Sequence, residues 1–248
     1  MKRIIVLASA MCLVMLSPCQ AGLLEDLSRE VLSPPPSAQQ QSSLDDSTIV
    51  KGLKEALATG TERAVKTVAK PDGYFGNQLI KILLPERIQS VANLLRQVGY
   101  QEQVDSFVLS MNRAAEKAAP KAAGIFGDAI RQMTLADARG ILNGGDTAAT
   151  EFFERKTRDR LYTAFKPTVA TSMSQVGTTR AYQEMIGKYE AVPMAASLAG
   201  IPSLDLDDYV TNKALDGLFK MVAEEEKKIR TNPTARTTDL LRKVFGGK

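Results

Sequence analysis

The chain has 248 residues, of which 32 are basic, 28 are acidic and none is histidine. Without histidine it cannot form a Ser-His-Asp or Cys-His catalytic group, and it cannot bind haem iron through an axial imidazole. The near balance of charge, with no basic stripe, argues against nucleic-acid binding. The sequence therefore predicts neither a haem or zinc cofactor nor a nucleic-acid partner.

The N-terminus has the pattern of a secretory signal peptide. Two basic residues precede an apolar run, Ile4–Leu16, that is too short to span a bilayer, and Ala21 offers a small residue for cleavage. A lipid anchor on Cys19 would need a small residue in place of Pro18. We therefore predict a signal peptide at residues 1–21 and a periplasmic mature chain that keeps neither cysteine.

The mature chain is predicted to consist of a linker and one domain. Residues 22–46 begin with a short amphipathic helix, Leu23–Leu32, and continue with a run rich in proline, glutamine and serine that is typical of a disordered linker. From residue 47 to residue 248 apolar residues recur at helical spacing, which predicts a single all-α domain. No later apolar run reaches membrane-spanning length, so we expect no transmembrane helix in the mature chain.

The apolar pattern also predicts where helices begin and end. Pro71–Gly73 ends the first long helix, and the apolar run Leu79–Leu84 is predicted to be extended or irregular. Pro120 and Pro167 are expected to interrupt later helices, and Thr134–Asp137 resembles a capping box. The predicted fold is a multi-helix bundle of packed helical hairpins. The buried stripe of the first helix is Ile49, Leu53, Ala56, Leu57, Gly60, Ala64 and Val68.

One group of polar residues is a candidate site between helices. Asn112 and Glu116 lie one helical turn apart with Arg113 beside them, and Asp128 is expected on the next helix. If these helices fold back on each other, the side chains could form a shared polar pocket or a buried salt link. The alternative is a solvated helix flank, which is the ordinary position of such residues.

A second candidate lies at Asn143–Thr147, where a glycine turn runs directly into a helix start. Free backbone amides at such a start can hold an anion. A carboxylate at Asp146 would take those amides and repel an anion, so capping by Asp146 or Thr147 is the favoured interpretation. No metal site is assigned. The candidate ligand-binding residues are Asn112, Arg113, Glu116, Asp128 and Asp146.

Three further features are interpreted as structural. Asp205–Asp208 has carboxylates that could bind calcium, but it lacks the glycine and distal glutamate of an EF-hand loop, and acidic residues before a helix are expected as caps. Glu224–Lys228 is predicted to be an exposed, self-paired helix surface. Glycines within helical patterns are expected to allow close helix packing or, alternatively, to keep open a groove for a lipid or small molecule. They are Gly52, Gly60, Gly127, Gly140 and Gly217.

Six strings along the chain carry a resemblance to a known family. They are Gly52–Leu57, Met111–Glu116, Asp128–Thr134, Gly144–Thr150, Lys213–Phe219 and Arg236–Leu241. Together they resemble domain of unknown function 4197, over the stretch from Ile49 to Phe245. The resemblance implies an exported, helical bacterial protein, and it supplies no catalytic residue.

The chemistry missing from the chain favours a non-catalytic binding or scaffolding module of the cell envelope over an enzyme. Its partner would be an envelope protein, a lipid or a small molecule. The alternative is an enzyme based on carboxylates and lysine, or a calcium- or magnesium-binding protein, with a polar site between helices. An exposed apolar patch or a continuous apolar groove would distinguish a binding module from a purely structural bundle.

Overall fold

Helices make up most of the part of the chain that the structure describes. A computed structural model describes residues 46–175, 177–191, 205–236, 238–239 and 242, and this part of the chain contains no β-strand. The all-α, multi-helix bundle that the sequence predicts is therefore confirmed. The helices are α1 Asp46–Ala69, α2 Glu86–Gln97, α3 Gln101–Ala118, α4 Ala122–Arg131, α5 Leu135–Asn143, α6 Ala148–Gln175, α7 Thr178–Glu190 and α8 Leu206–Thr231, with 3₁₀ turns at Ala119–Lys121 and Pro233–Ala235.

The core is built around α6 and α8. Helix α6 packs against α3, α4 and α8, and α8 also packs against α1. The Phe126 ring meets the rings of Phe153 and Phe219 edge-on, at centroid distances of 5.2 and 6.1 Å. Such pairs contribute about 0.5–1.5 kcal/mol each beyond the burial of their surface. Leu44–Lys248 forms one compact unit around this core.

The apolar stripes predicted from the sequence face this core. On α1, every member of the predicted stripe from Leu53 to Val68 is buried, and Ile49 packs against the core from the partly buried end of the helix. The stripe on α8 is buried in the same way, from Val210 to Ile229. Within the described residues, no helix combines the length and apolar character needed to span a membrane.

Two helix ends are stabilised by residues next to them in the sequence. Gly99 follows α2 with a positive φ of 90°, and the Tyr100 N–H donates to the Leu95 carbonyl at 2.8 Å. This is the bond pattern of a Schellman motif, which glycine adopts without strain. At the start of α5, the Thr134 side chain accepts from the Asp137 N–H while the Asp137 carboxylate accepts from the Thr134 N–H. The predicted capping box is therefore confirmed.

The two internal prolines have different effects. Pro120 lies in the 3₁₀ turn that joins α3 to α4, as predicted. Pro167, in contrast, does not end a helix, because α6 continues through it. A proline inside a helix removes one backbone hydrogen bond. Phe165 and Val169, on either side of it, are fully buried, so packing against the core holds both halves in one helix.

The connection between α1 and α2, residues 70–85, is the main non-helical part of the described unit, and we call it the connecting segment. Turns run through Ile80, and residues 81–85 have no regular secondary structure. Ile80, Ile82 and Leu84 are buried, whereas Leu79 and Leu83 are exposed. Alternation of this kind is what an extended chain produces, and it agrees with the predicted extended or irregular run.

Candidate functional site

Asn112, Arg113 and Glu116 lie together on α3, where this helix meets the connecting segment. Asn112 is fully buried and Glu116 is 4 % exposed. Their neighbours Met111 and Ala115 belong to the core, so this face of α3 points inward. The solvated helix flank considered from the sequence is therefore wrong for both Asn112 and Glu116.

The Asn112 side chain pairs with the backbone of Ile82 in both directions. Its Oδ1 accepts from the Ile82 N–H at 2.8 Å, and its Nδ2 donates to the Ile82 carbonyl at 2.8 Å. Nδ2 also donates to the Val108 carbonyl, one turn earlier on α3, at 2.8 Å. A buried extended segment without a neighbouring strand would leave these backbone groups unpaired. Asn112 supplies the two bonds that a second strand would otherwise make.

Glu116 holds the first half of the connecting segment. Its Oε1 accepts from the Tyr74 and Phe75 N–H groups at 3.1 and 3.2 Å, and its Oε2 accepts from Arg113 Nη1 at 2.7 Å. Arg113 also donates to Asp72 at 2.8 Å. The pKa of Arg113 is raised, mainly by its hydrogen bond to Glu116. Because three donors from the protein bond its carboxylate and only 4 % of the residue is exposed, Glu116 acts as a structural anchor.

The other two candidate residues lie outside this group. Asp128 pairs with Arg131, and with Arg160 at 3.0 Å. The bond from Arg160 and then that from Arg131 lower the pKa of the Asp128 carboxyl. Asp146 is exposed in the turn before α6. The predicted five residues therefore do not form one site, and among the described residues no three acidic side chains are grouped so that they could hold a metal ion.

A buried carboxylate that sequence reasoning missed lies at the start of α6. Glu226 accepts from the Ala149 and Thr150 N–H groups, both at 2.9 Å, and from the Thr150 hydroxyl at 2.9 Å. Arg230 donates to the same carboxylate from Nε at 2.9 Å and from Nη2 at 2.8 Å. Glu226 thus caps a helix whose Thr150 amide lies 76 residues earlier in the sequence, and Arg230 balances its charge.

This arrangement corrects two predictions. The sequence predicts that Asp146 or Thr147 caps the amides at the start of α6, but a carboxylate from α8 takes them. The run Glu224–Lys228 is not uniformly exposed, since Glu226 within it is 8 % exposed. The signal that identifies Glu226 is its position one turn after Val222, on the buried stripe of α8.

The Asp205–Asp208 motif is a helix cap. Asp205 Oδ1 accepts from the Asp208 N–H at 2.9 Å, in the first turn of α8. That bond is the main cause that lowers the pKa of Asp205, and the Lys166 ammonium, 3.5 Å from the carboxylate, lowers it further. The capping interpretation of this motif is therefore confirmed.

The connecting segment is also seated directly on α8. The Tyr74 hydroxyl donates to the Ala214 carbonyl at 2.6 Å, and burial raises the pKa of this phenol. A methyl group at Gly217 would lie 2.8 Å from the Tyr74 ring and 3.1 Å from Ile80 Cβ. Close packing, one of the two predicted uses of helix glycines, is therefore confirmed at Gly217. Close packing does not explain the glycine at position 140, where an added methyl group would meet no atom within 4 Å.

The outer side of the connecting segment carries exposed apolar side chains. Leu79 is 56 % exposed and Leu83 is 60 % exposed. Beside them, α8 contributes two exposed lysines, and two depressions of about 510 and 260 Å³ lie along the outer edge where the segment meets this helix. We call this region the leucine–lysine surface. Its residues are Leu79, Lys81, Leu83, Lys213 and Lys220.

The leucine–lysine surface has an excess of positive charge. Within the described part of the chain, Lys213 and Lys220 take part in none of the ion pairs. Lys81 Nζ lies 3.9 Å from the centroid of the Phe75 ring, which does not cancel its charge. Asp216 lies between the two lysines on α8, but Arg158 pairs with it at 2.6 Å. The surface is therefore apolar along the segment and cationic along α8.

Comparison with known proteins identifies the family and gives no activity. The family described as protein of unknown function (DUF4197) matches residues 43–246, so the chain belongs to this family. The resemblance seen in the sequence is thus confirmed. No curated protein and no solved structure matches the chain.

Proposed function

We propose that the protein is a non-catalytic binding module of the cell envelope and that the leucine–lysine surface is its contact site. The observation that carries the proposal is the pair of leucines that a firmly held segment presents to solvent. Leu79 and Leu83 are the two most exposed large hydrophobic side chains among the described residues, at 56 % and 60 %. Fully burying a leucine is favourable by about 1.5–3 kcal/mol, so a partner that covers both gains from contact.

The exposure of these leucines follows from how the segment is anchored. Asn112, Glu116 and the Tyr74 hydroxyl fix the inner side of the segment to α3 and α8. An unanchored loop could turn its leucines inward, whereas this one cannot do so without breaking buried hydrogen bonds. The segment therefore holds both leucines in a fixed, solvent-facing position, where a partner can cover them.

The polar group on α3 gives no support to the alternative of a carboxylate-based enzyme. A general base must reach a substrate proton, and a metal ligand must offer a free oxygen. Both oxygens of Glu116 already accept bonds from the protein, and the Asn112 amide is engaged at both of its ends. The location in the cell envelope follows from the secretory signal predicted at residues 1–21.

Photo-cross-linking in intact cells tests the proposal. A photoreactive amino acid is introduced at Leu79 or Leu83, with matched controls at Val98 and Leu135, which are exposed apolar positions elsewhere, at 45 % and 38 %. We expect adducts of defined mass at Leu79 and Leu83, recovered from the periplasmic fraction, and none at the control positions. Equal adducts at all four positions, or none at any of them, would refute a contact site on the connecting segment.

A loss-of-contact variant gives an independent check. With the photoreactive group at Leu83, replacing Leu79 by serine should weaken the adduct, because it removes half of the apolar ridge and touches none of the buried anchors. Val98→Ser in the same background should leave the adduct unchanged. Thermal unfolding of both variants would show whether each still folds as the parent does.

A further inference from the structure

The charge distribution of the leucine–lysine surface points to a class of partner. Three lysines line its two depressions, and the acidic residues that line them are Glu86 and Asp216. Asp216 is paired with Arg158, so Glu86 is the acid of the lining that has no ion pair among the described residues. An uncompensated positive surface attracts negative charge, and the two leucines beside it require apolar groups.

The spacing of the lysines on α8 constrains the form of that partner. Lys213 and Lys220 are seven residues apart, which is about 10.5 Å, or two turns, along the helix. Acidic residues seven apart on a second helix lying along α8 would match this spacing on one face. An apolar stripe beside the acidic stripe of the same helix would then face Leu79 and Leu83.

We propose, resting on the binding function proposed above, that the leucine–lysine surface binds an acidic amphipathic helix of another envelope protein. Carboxylates of that helix bind Lys213 and Lys220, and its apolar side chains cover Leu79 and Leu83. The two depressions of about 510 and 260 Å³ accept the side chains that flank this contact. This is the helix-in-groove mode of recognition, with charge fixing the register.

An anionic lipid bilayer is the other partner with matching charge, and the structure favours it less. A flat layer of headgroups would contact Leu79 and Leu83 but would leave the two depressions between the segment and α8 unfilled. Glu86 lines the larger depression and would repel a uniformly anionic layer, whereas a helix can place a neutral or basic residue opposite it. A polypeptide therefore fits both the shape and the mixed charge of the lining.

Fluorescence anisotropy with a synthetic helix tests the proposal on the mature chain, residues 22–248. The probe has leucines on one face, flanked by glutamates seven residues apart, and two comparison peptides carry lysine or glutamine in place of glutamate. We expect the glutamate peptide to bind and its affinity to fall as salt is raised. The double variant Lys213→Gln/Lys220→Gln should bind about 2-fold to 30-fold more weakly, the range expected for losing two exposed ion pairs.

Matched variants separate this effect from a general loss of charge. Lys51 and Lys121 are exposed lysines on other parts of the molecule, and Lys51→Gln/Lys121→Gln should bind the glutamate peptide as the parent does. Because Lys213 and Lys220 make no ion pair within the described part of the chain, their replacement should leave the unfolding temperature unchanged. Equal binding of the glutamate and lysine peptides, or no binding of either, would overturn the proposed partner.

Phosphatidylglycerol vesicles, with phosphatidylcholine vesicles as the comparison, decide between the two anionic partners. Co-sedimentation that depends on Lys213 and Lys220, without peptide binding, would overturn the helix proposal in favour of a bilayer. Adducts at Leu79 and Leu83 in cells, combined with failure of the glutamate peptide, would leave the contact site standing and reject the acidic helix. Loss of both the adducts and peptide binding would reject the binding function together with its partner.

Discussion

Replacing Asn112 by leucine should lower the free energy of unfolding by about 1–5 kcal/mol, although the two side chains are similar in size. The Ile82 N–H and carbonyl would each lose their bond to this side chain, both of 2.8 Å in the parent. A buried polar group without a partner costs about 1–3 kcal/mol, so two of them cost about 2–6 kcal/mol. Burial of the added apolar surface offsets part of this cost, by about 1 kcal/mol.

Urea denaturation measures the total loss, and hydrogen exchange locates it. In the parent the Ile82 amide should exchange slowly, because its acceptor Asn112 is fully buried. In Asn112→Leu the amides of the connecting segment should exchange faster, while those of the α6 interior follow the global stability. Asn93→Leu, at an exposed position on α2, is the matched control and should change stability by no more than about 0.5 kcal/mol.

The reasoning would be refuted by a loss below about 1 kcal/mol, similar to that of Asn93→Leu, with the Ile82 amide still protected. That result would mean that the connecting segment is held by its apolar residues alone. The role assigned to Asn112 as a substitute for a neighbouring strand would then be wrong.

Three further predictions use the same denaturation assay. Gly217→Ala should destabilise by about 1–3 kcal/mol, because the new methyl group would lie 2.8 Å from the Tyr74 ring. Gly60→Ala should instead stabilise the protein by up to about 1 kcal/mol, because the atom nearest to its added methyl group would be 3.5 Å away. Stability changes of the same sign in the two glycine variants would contradict the packing argument. Glu226→Ala should cost about 3–5 kcal/mol, since it unpairs the partly buried Arg230 and two helix amides. A cost below about 1 kcal/mol would show that water replaces the carboxylate. Asp137→Asn should be less stable than the parent at neutral pH and equal to it in strong acid. The Thr134 amide, which donates to the Asp137 carboxylate, lowers the pKa of Asp137. The stability that this carboxylate contributes is therefore fully present above its unfolded pKa of about 3.9 and is lost as the pH falls through its lower folded pKa. A stability difference between Asp137→Asn and the parent that does not change with pH would contradict this.

The helices were predictable from the sequence because their cores are periodic. The stripe from Leu53 to Val68 follows helical spacing without interruption, and every member of it is buried. The capping box at Thr134 and the left-handed cap at Gly99 depend on residues within one turn of the helix end, so local sequence is sufficient to identify them. Pro167 was misleading because its effect depends on tertiary packing, which the residues around it do not reveal.

The buried carboxylates were not predictable in the same way, because their partners are remote in sequence. Glu116 accepts from the Tyr74 amide, 42 residues away, and Glu226 from the Ala149 amide, 77 residues away. The sequence shows a glutamate at helical spacing, and an exposed position is the ordinary expectation for it. What the sequence does show is whether such a residue falls within an apolar stripe, and both Glu116 and Glu226 do.

The features that depart from an ordinary helical bundle converge on the connecting segment. Asn112 substitutes for a strand, Glu116 fixes two amides, and Gly217 allows Tyr74 and Ile80 to approach α8. Each of these has a cost: two polar groups must be buried, and a glycine weakens the middle of a helix. A short helical turn joining α1 to α2 would need none of them. What the arrangement adds is a fixed extended stretch whose alternate side chains face outward next to the lysines of α8, which is the reason to look for a partner on this surface.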